Sequence, residues 1–550
     1  MTDSTMSDMP LTVGRLLIRG RDLFPDSEVV TWTPTGQRRT PFAEVARRAR
    51  ALAGGLRELG VGPGDRVGVL AANVQEYVEA YLGIPGMGAV LHTVNTKLQL
   101  DQLAEVIDHA QDRVLIVDDE LLDVLAPVAP RLGSVERIVT IGDSPTHDRL
   151  PVPQVGYEDL LASATPLVDW PDVDERSAAA LCYTTGTTGD PKGVAYSHRS
   201  TVLHALAFAG SVGKFLSDHD RFLVVVPLFH VNGWGLPHVG WMVGADLVLP
   251  GRSMQPADVC RLITAERPTV SGGVPAVWSA IADHAEAIGA DLSSIEILFL
   301  GGSAPSAALV ERLQRRHGVR VVQAWGMTET SPMVLISAPP RSAAPGSETE
   351  WTVKAGRPVP LIEVRIADEA GAVLPADGTS VGELEVRGPW ITARYYERDA
   401  ADRFHDGWLR TGDLAVIEPS GFVRITDRVK DVIKSGGEWI SSVRLEELLA
   451  GHPDVVEAAV IGIPDPRWDE RPFACVVLRP GAVLDVEALG AHLAAAVPRW
   501  WVPQSWTAVT DLPRTSVGKI DKKALRADFH AGRLRPIGGA AVAAGREDVR

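Results

Sequence analysis

The stretch from Thr40 to Ala71, TPFAEVARRARALAGGLRELGVGPGDRVGVLA, sets the architecture. Thr40 and Pro41 make an N-cap and first-turn pair. Phe42, Val45, Ala49, Leu52, Leu56 and Leu59 then recur at the spacing of one helical face until Gly60 stops the run. After a turn comes the apolar run Val67 to Ala71, which reads as a strand. Working outward, the alternation repeats: a helix around Val78 to Leu82, an apolar run at Ala89 to Val94, a helix near Leu103 to His109 and a strand at Val114 to Val117. Repeated strand-then-helix order predicts an α/β fold of parallel sheets covered by helices.

The texture changes near Leu361 to short alternating strands between Gly and Asp turns, as in Glu363 to Ala367 and Glu383 to Val386, which predicts a β-rich subdomain. Beyond Asp431, a helix (Val443 to Leu449), two strands (Val455 to Ile461 and Ala474 to Leu478) and a second helix (Val486 to Ala496) predict a compact α+β lobe. The expected organisation is a large N-terminal domain over residues 1–429 and a small mobile C-terminal domain over 430–536. A hinge falls between Asp427 and Asp431, and the Gly- and Ala-rich tail 537–550 is expected to be poorly ordered. Ala338 to Gly346, rich in Pro, Ala and Ser, reads as a surface loop.

The chain has 550 residues, ample for several structural units, and its 45% apolar and 23% charged residues are ordinary globular composition. A formal charge of −16 disfavours a broad nucleic-acid footprint. The three cysteines, Cys182, Cys260 and Cys475, have no disulfide or zinc spacing and fit a reducing cytoplasm. Met1 to Pro10 lacks the pattern of a signal peptide, and no apolar run approaches the roughly 18 residues of a membrane span, so no integral membrane segment is expected.

The segment richest in chemistry is Tyr183-Thr184-Thr185-Gly186-Thr187-Thr188-Gly189-Asp190-Pro191-Lys192-Gly193, directly after the apolar run Ala178 to Cys182. Glycines let backbone approach a ligand, threonines supply hydroxyls and Lys192 supplies positive charge: by composition, a phosphate cradle. Gly186 and Lys192 have the spacing of a P-loop. Pro191 stands where its second glycine belongs, however, and Gly193 where its magnesium-binding hydroxyl belongs, so a Walker reading fails.

This string resembles the signature of the acyl-adenylate-forming superfamily, which includes acyl-CoA synthetases. Further segments match in family order: Ala324-Trp325-Gly326-Met327-Thr328-Glu329-Thr330, Gly407-Trp408 with Thr411-Gly412-Asp413, Asp427-Arg428-Val429-Lys430-Asp431, and Pro513-Arg514-Thr515-Ser516-Val517-Gly518-Lys519. The resemblance implies an ATP-dependent enzyme that joins a carboxylic acid to AMP and passes the acyl group to coenzyme A. An amine or a carrier protein is the alternative acceptor, and a catalytically silent binding protein is disfavoured by intact Lys192, Glu329, Asp413 and Lys519.

Attack of a carboxylate on the α-phosphorus brings two anions together, so fixed cations and Mg2+ are expected. The resemblance assigns ATP or AMP contacts to Thr184, Thr185, Gly186, Thr187, Thr188, Gly189 and Lys192, and to Gly302, Ser303, Ala304, Trp325, Gly326, Met327 and Thr328. Glu329, with Thr184, is the magnesium ligand. Asp413 accepts from the ribose hydroxyls, and Arg428 adds a second ribose or phosphate contact. Lys519 is the principal catalytic residue, a mobile ammonium bridging the acid and the α-phosphate, with Lys192 as a second cation. Lys522 and Lys523 beside Lys519 read as a solvated basic run.

Lys434-Ser435-Gly436-Gly437-Glu438-Trp439 resembles the fatty acyl branch. Lys434 and Trp439 are expected near the adenylate, Gly436, Gly437 and Glu438 at the CoA site, and Lys430 at the hinge about which the small lobe turns between half-reactions. His230-Val231-Asn232-Gly233-Trp234, with Leu91 to Asn95 and Trp500 to Pro503, looks like medium- to long-chain fatty acyl-CoA synthetases. It implies an acyl site of His230, Val231, Asn232, Trp234 and Gly326, with His230 catalytic and Trp234 gating an acyl tunnel. Thr96-Lys97 and Gly233 depart from that branch, which bears on acyl preference. The expected partners are small molecules only, and a homodimer is left open.

Overall fold

The computed structural model describes residues 4–33, 35–143, 150–184, 191–211, 213, 215–515 and 519–537. Contacts divide the chain into two compact units, Met1–Val364 with Val386–Leu409, and Arg365–Glu385 with Arg410–Arg550.

The opening stretch folds as read, with one change at its start. The helix spans Phe42–Glu58 and buries Phe42, Val45, Ala49, Leu52 and Leu56. Pro41, not Thr40, holds the N-cap position. Thr40 belongs to the strand Gly36–Pro41, opposite Val29, and its hydroxyl donates to Gln75 Oε1 (2.5 Å). Cross-strand pairing has claimed the residue that helix capping would have used.

In the first unit, the strand order of one sheet is Gln154–Gly156, Arg137–Ile141, Asp112–Asp118, Arg66–Leu70, Val90–Thr93, Ala178–Thr184 and Lys192–Ser197. All neighbours are parallel except the last pair. Val114, Leu115, Ile116 and Val117 are fully buried, as continuous apolar runs must be when helices cover both faces. A second sheet has a parallel centre, Arg320–Gly326, Ile297–Gly301, Val270–Gly273, Arg221–Leu223, Asp246–Leu249 and Glu28–Thr33. Its antiparallel margins are Met333–Ile336 with Arg357–Pro358 on one side and Gly36–Pro41 on the other.

Glu363–Ala367, Gly382–Arg387, Trp408–Ile417, Phe404–His405 and Val423–Arg428 form the expected β-rich sheet. In the second unit, Glu438–Ile440, Ile433–Ser435, Asp469–Leu478 and Val455–Asp465 form a sheet, with Ser505–Ala508 added in parallel. Leu445, Leu449, Leu489 and Leu493 from helices Ser442–Ala450 and Val486–Ala494 share a core with Val460 and Val476. Leu525 from helix Lys522–His530 joins a separate core with Ile461, Phe473 and Cys475. Alternation along each strand, Val460 in one core and Ile461 in the other, gives this lobe two covered faces.

The expected loop 338–346 has no helix or strand. Ile537 pairs with Trp506, and the tail beyond it lies outside the described residues. Among the described residues no helix is long and apolar enough to cross a membrane.

Candidate active site

The Gly- and Thr-rich segment connects a hairpin: Ala178–Thr184 pairs antiparallel with Lys192–Ser197, with Thr184 opposite Lys192. Thr185, Gly186, Thr187, Thr188 and Gly189 lie outside the described residues. At the base of the hairpin the Lys192 amide donates to Thr184 Oγ1 (3.3 Å). The Lys192 ammonium stands 4.9 Å from the centre of the Tyr395 ring, a cation–π approach, and the Tyr395 hydroxyl donates to Glu329 Oε1 (2.6 Å). Burial, then the Glu329 charge, holds the Tyr395 phenol well above its ordinary pKa, so it stays a donor. Glu329 is 6% exposed, and its carbonyl accepts from the Thr392 amide (2.8 Å). Cation, phenol and carboxylate thus form one linked row.

Parallel pairing brings the other nucleotide candidates of this unit to one sheet margin. Ile297–Gly301 and Arg320–Gly326 lie side by side with Gly301 opposite Ala324, so Gly302-Ser303-Ala304 and Trp325 to Glu329 leave from neighbouring carboxyl ends. Ligand crevices of parallel sheets open at that margin. Gly302 has φ +80°, and Gly302, Ser303 and Ala304 are exposed. Trp325 and Met327 are half-buried, and Thr328 is buried with its carbonyl accepting from Tyr196 (2.6 Å). A Cβ on Gly326 would fall 1.7 Å from the Pro332 carbonyl oxygen, so only glycine fits there.

The acyl candidates sit on strained backbone. Val231, Asn232, Gly233, Trp234 and Gly235 all have positive φ (46°, 48°, 56°, 55° and 76°), a left-handed turn that β-branched valine strongly resists. His230 precedes it, half-buried. Buried Asn73 supports the approach to this turn: its Nδ2 donates to the carbonyls of Val224 and Val226 (both 2.8 Å), and its Oδ1 accepts from the Leu228 amide (2.9 Å). Trp234 lies over two strand ends, since a Cβ on Gly301 or Gly272 would meet its indole at 3.1 or 3.5 Å. A small polar cavity lined by Tyr196, His204, Asn232, His238 and Ser331, among others, joins the turn to the segment after Glu329. Burial lowers His204 to about 3 and His238 to about 4, so both are neutral imidazoles.

In the second unit, Asp413 and Arg428 face each other across an antiparallel pair, Arg428 Nε 3.0 Å from Asp413 Oδ1. Asp413 is buried while Arg428 reaches solvent, and the Asp413 amide donates to Thr411 Oγ1 (3.1 Å). Lys434 is opposite Trp439 and Ser435 opposite Glu438. Gly436 and Gly437 close that hairpin with φ of 63° and 86°, the positive pair a two-residue turn requires. A side chain at Gly436 would strike the Trp468 ring (2.8 Å). Lys434 Nζ lies 3.3 Å from Glu369 Oε1.

Lys430 occupies the turn after Val423–Arg428, and burial lowers its pKa. Lys519 closes a hairpin: its amide donates to Thr515 Oγ1 (3.2 Å), and its carbonyl accepts from the Thr515 amide (2.8 Å). Residues 516–518 lie outside the described residues.

Tyr395 and Asn73 escaped the reading of the sequence, and Lys522, read as solvated, is largely buried. A tyrosine that orients a carboxylate, an asparagine that braces backbone and a buried lysine carry no local signature. Among the described residues no group of three or more His, Cys, Asp or Glu could hold a metal ion. Glu329 and Thr184 nonetheless offer the hard oxygen donors that suit Mg2+, an ion that takes few protein ligands and retains water and phosphate.

The AMP-binding enzyme family model matches residues 20–396, and the AMP-binding enzyme C-terminal domain matches 444–519. The chain is 45% identical to a long-chain-fatty-acid–CoA ligase of Thermus thermophilus over 96% of this chain and 97% of that protein. It is 39% identical to a medium-chain-fatty-acid–CoA ligase of Ectopseudomonas oleovorans over 94% and 96%. Among solved structures, the anthranilate CoA ligase AuaEII in complex with anthranoyl-AMP superposes with a TM-score of 0.86 at 28% identity, covering 96% of this chain and all of that one. The chain belongs to the AMP-binding enzyme family of adenylate-forming enzymes.

Proposed function

We propose that the chain is an AMP-forming acyl-CoA synthetase acting on medium- or long-chain fatty acids. ATP and the acid give acyl-AMP and pyrophosphate, and the thiol of CoA then displaces AMP. The observation that carries the first half-reaction is the row Lys192, Tyr395 and Glu329 at the base of the Gly- and Thr-rich hairpin. It sets a cation and a positioned carboxylate beside a loop suited to phosphate. Mg2+ held by Glu329 and Thr184 would neutralise phosphate charge when bound. Tyr395 fixes the carboxylate, the loop threonines and Lys192 hold phosphate, and Asp413 with Arg428 takes the ribose.

Lys519 bridges the acid and the α-phosphate and stabilises the charge that develops there. The second half-reaction uses Gly436, Gly437 and Glu438 at the pantetheine thiol, with residues 430–536 turning about Lys430 between steps. Trp234 and the left-handed turn bound the acyl site, where His230 orients the acid or thiol. The fatty acid assignment rests on likeness to the two bacterial ligases. Three buried, unbridged cysteines suit a reducing cytoplasm.

Pyrophosphate exchange tests the first half-reaction: Lys519→Ala is expected to lower it by about 100-fold or more, and unchanged exchange removes the role given to Lys519. A panel of acids of graded chain length, scored by AMP release with CoA or with amines, tests the second. AMP release that required an amine and ignored CoA would overturn thioester formation.

A further inference from the structure

Lys522, read from the sequence with Lys523 as a solvated basic run, is turned inward with a side chain only 11% exposed, while Lys523 beside it is exposed. Its ammonium lies 2.7 Å from Glu446 Oε1 and donates to Ser442 Oγ (2.7 Å). The Ser442 hydroxyl donates to Asp427 Oδ1 (3.0 Å), and the Ser442 amide donates to Asp427 Oδ2. Glu446 Oε1 also accepts from the Val460 amide (2.7 Å). Three elements converge on this cation: the last turns of strand Val423–Arg428, helix Ser442–Ala450 and the first residue of helix Lys522–His530. Burial pushes the Glu446 carboxyl up to about 7 even with Lys522 beside it, and burial raises Asp427 as well. Removing the lysine would leave two buried carboxylates without their cation.

The connection to Lys519 is short. Lys519 ends the Thr515 hairpin, the Asp521 amide donates to the Pro513 carbonyl (2.7 Å), and Asp521 Oδ1 caps the helix by accepting from the Lys523 and Ala524 amides (both 3.1 Å). The described ends of the hairpin are therefore tied to the start of the helix. One turn along, Arg526 reaches Asp431 Oδ1 (2.9 Å) and the Lys430 carbonyl (3.3 Å). We propose that Lys522 is a positioning residue for adenylate formation: gripped by Glu446 and Ser442, it locks the Lys519 hairpin to helix Ser442–Ala450. The two then move as one lever when the lobe turns about Lys430. This inference rests on the adenylation role proposed above for Lys519.

The test uses the full chain and separates the half-reactions. Lys522→Met alone strands buried carboxylates, so it is paired with the double variant Lys522→Met/Glu446→Leu, in which the lysine's main partner is also removed. The double variant is expected to melt closer to the parent than Lys522→Met does. Its kcat for pyrophosphate exchange should fall about 10- to 100-fold, the scale expected for a catalytic group displaced by about 1 Å. KM for ATP and for the acid should stay within about threefold, as should acyl transfer to CoA from supplied acyl-AMP, for the displaced group acts only in the first step. Parental exchange in the double variant, or an equal fall in both half-reactions, overturns the proposal. Lys519→Ala is the separating control. Exchange unchanged there removes the Lys519 assignment and the lever with it, whereas exchange lost there but kept in the Lys522 variants removes the lever alone.

Discussion

In the first unit the turn Val231–Gly235 carries five successive positive φ angles and no charged side chain. In the second, the hairpin that ends at Lys519 is anchored by lysine, arginine and carboxylates. Left-handed backbone costs roughly 1–2 kcal/mol for each L residue, so Val231, Asn232 and Trp234 together store roughly 3–6 kcal/mol. Burial of Trp234 and the three hydrogen bonds of Asn73 near the turn offset it. The second unit spends its stability differently, on desolvating Lys522, Glu446 and Asp427 for a fixed geometry. A site of neutral, buried polar groups and one of buried charges should answer pH and mutation in different ways.

The largest contrast is with pH. His198, His204 and His238 are buried neutral, lowered by desolvation to about 4, 3 and 4. The unfolded chain binds protons that the folded first unit refuses, so their contribution is intact above about pH 6.5 and declines as pH falls toward the folded values. Between pH 7.5 and 5 the expected loss from these three histidines is on the order of 5 kcal/mol, offset in part by Glu79, Asp112 and Asp118, whose carboxyls burial raises. Glu446 has the opposite sign. Its raised pKa of about 7 means that the folded state takes up a proton between about pH 4.5 and 7, so the second unit gains on the order of 2 kcal/mol over the same acid shift. Hydrogen exchange followed peptide by peptide and corrected for intrinsic rates should show the first unit loosening and the second tightening. Parallel behaviour in both would break the comparison.

Asn73→Leu is the next largest effect. It strands two carbonyls and one amide in the interior and is expected to cost about 3–5 kcal/mol. The loss should appear in the exchange of residues 224–235, with the second unit unchanged. A cost below about 1 kcal/mol would mean that the approach to the turn holds without this bracket.

The sequence disclosed these regions unequally. Periodicity over 40–117 predicted the α/β layers because parallel strands buried on both faces are continuous apolar runs, and Val114 to Val117 are of that kind. The Gly- and Thr-rich hairpin and the segment around Glu329 were legible as motifs. The left-handed run was not, since Val231-Asn232-Gly233-Trp234-Gly235 contains two glycines where five residues adopt positive φ, and tertiary contacts overrule local preference. Lys522 was misread for the converse reason. A basic cluster is normally solvated, and the partners that bury this lysine, Glu446 and Ser442, lie about 80 residues earlier in sequence. Thr40 went to a strand because a cap residue and a strand terminus look alike when the partner strand is read separately.

Arg526→Ala should have the smallest effect and sharpen the comparison within the second unit. Its pair with Asp431 is 30% and 12% exposed, against 11% and 17% for Lys522 and Glu446. Partial exposure lets water take over when the arginine is lost, so a cost of about 1 kcal/mol is expected in the exchange of helix Lys522–His530. Pyrophosphate exchange should remain within about threefold of the parent, because loosening one ion pair of that size leaves the buried grip of Lys522 intact. If Arg526→Ala instead lowered exchange as far as the Lys522 variants, the lever would be held at the Asp431 end. Burial would then be the wrong measure of which charge sets the position of Lys519.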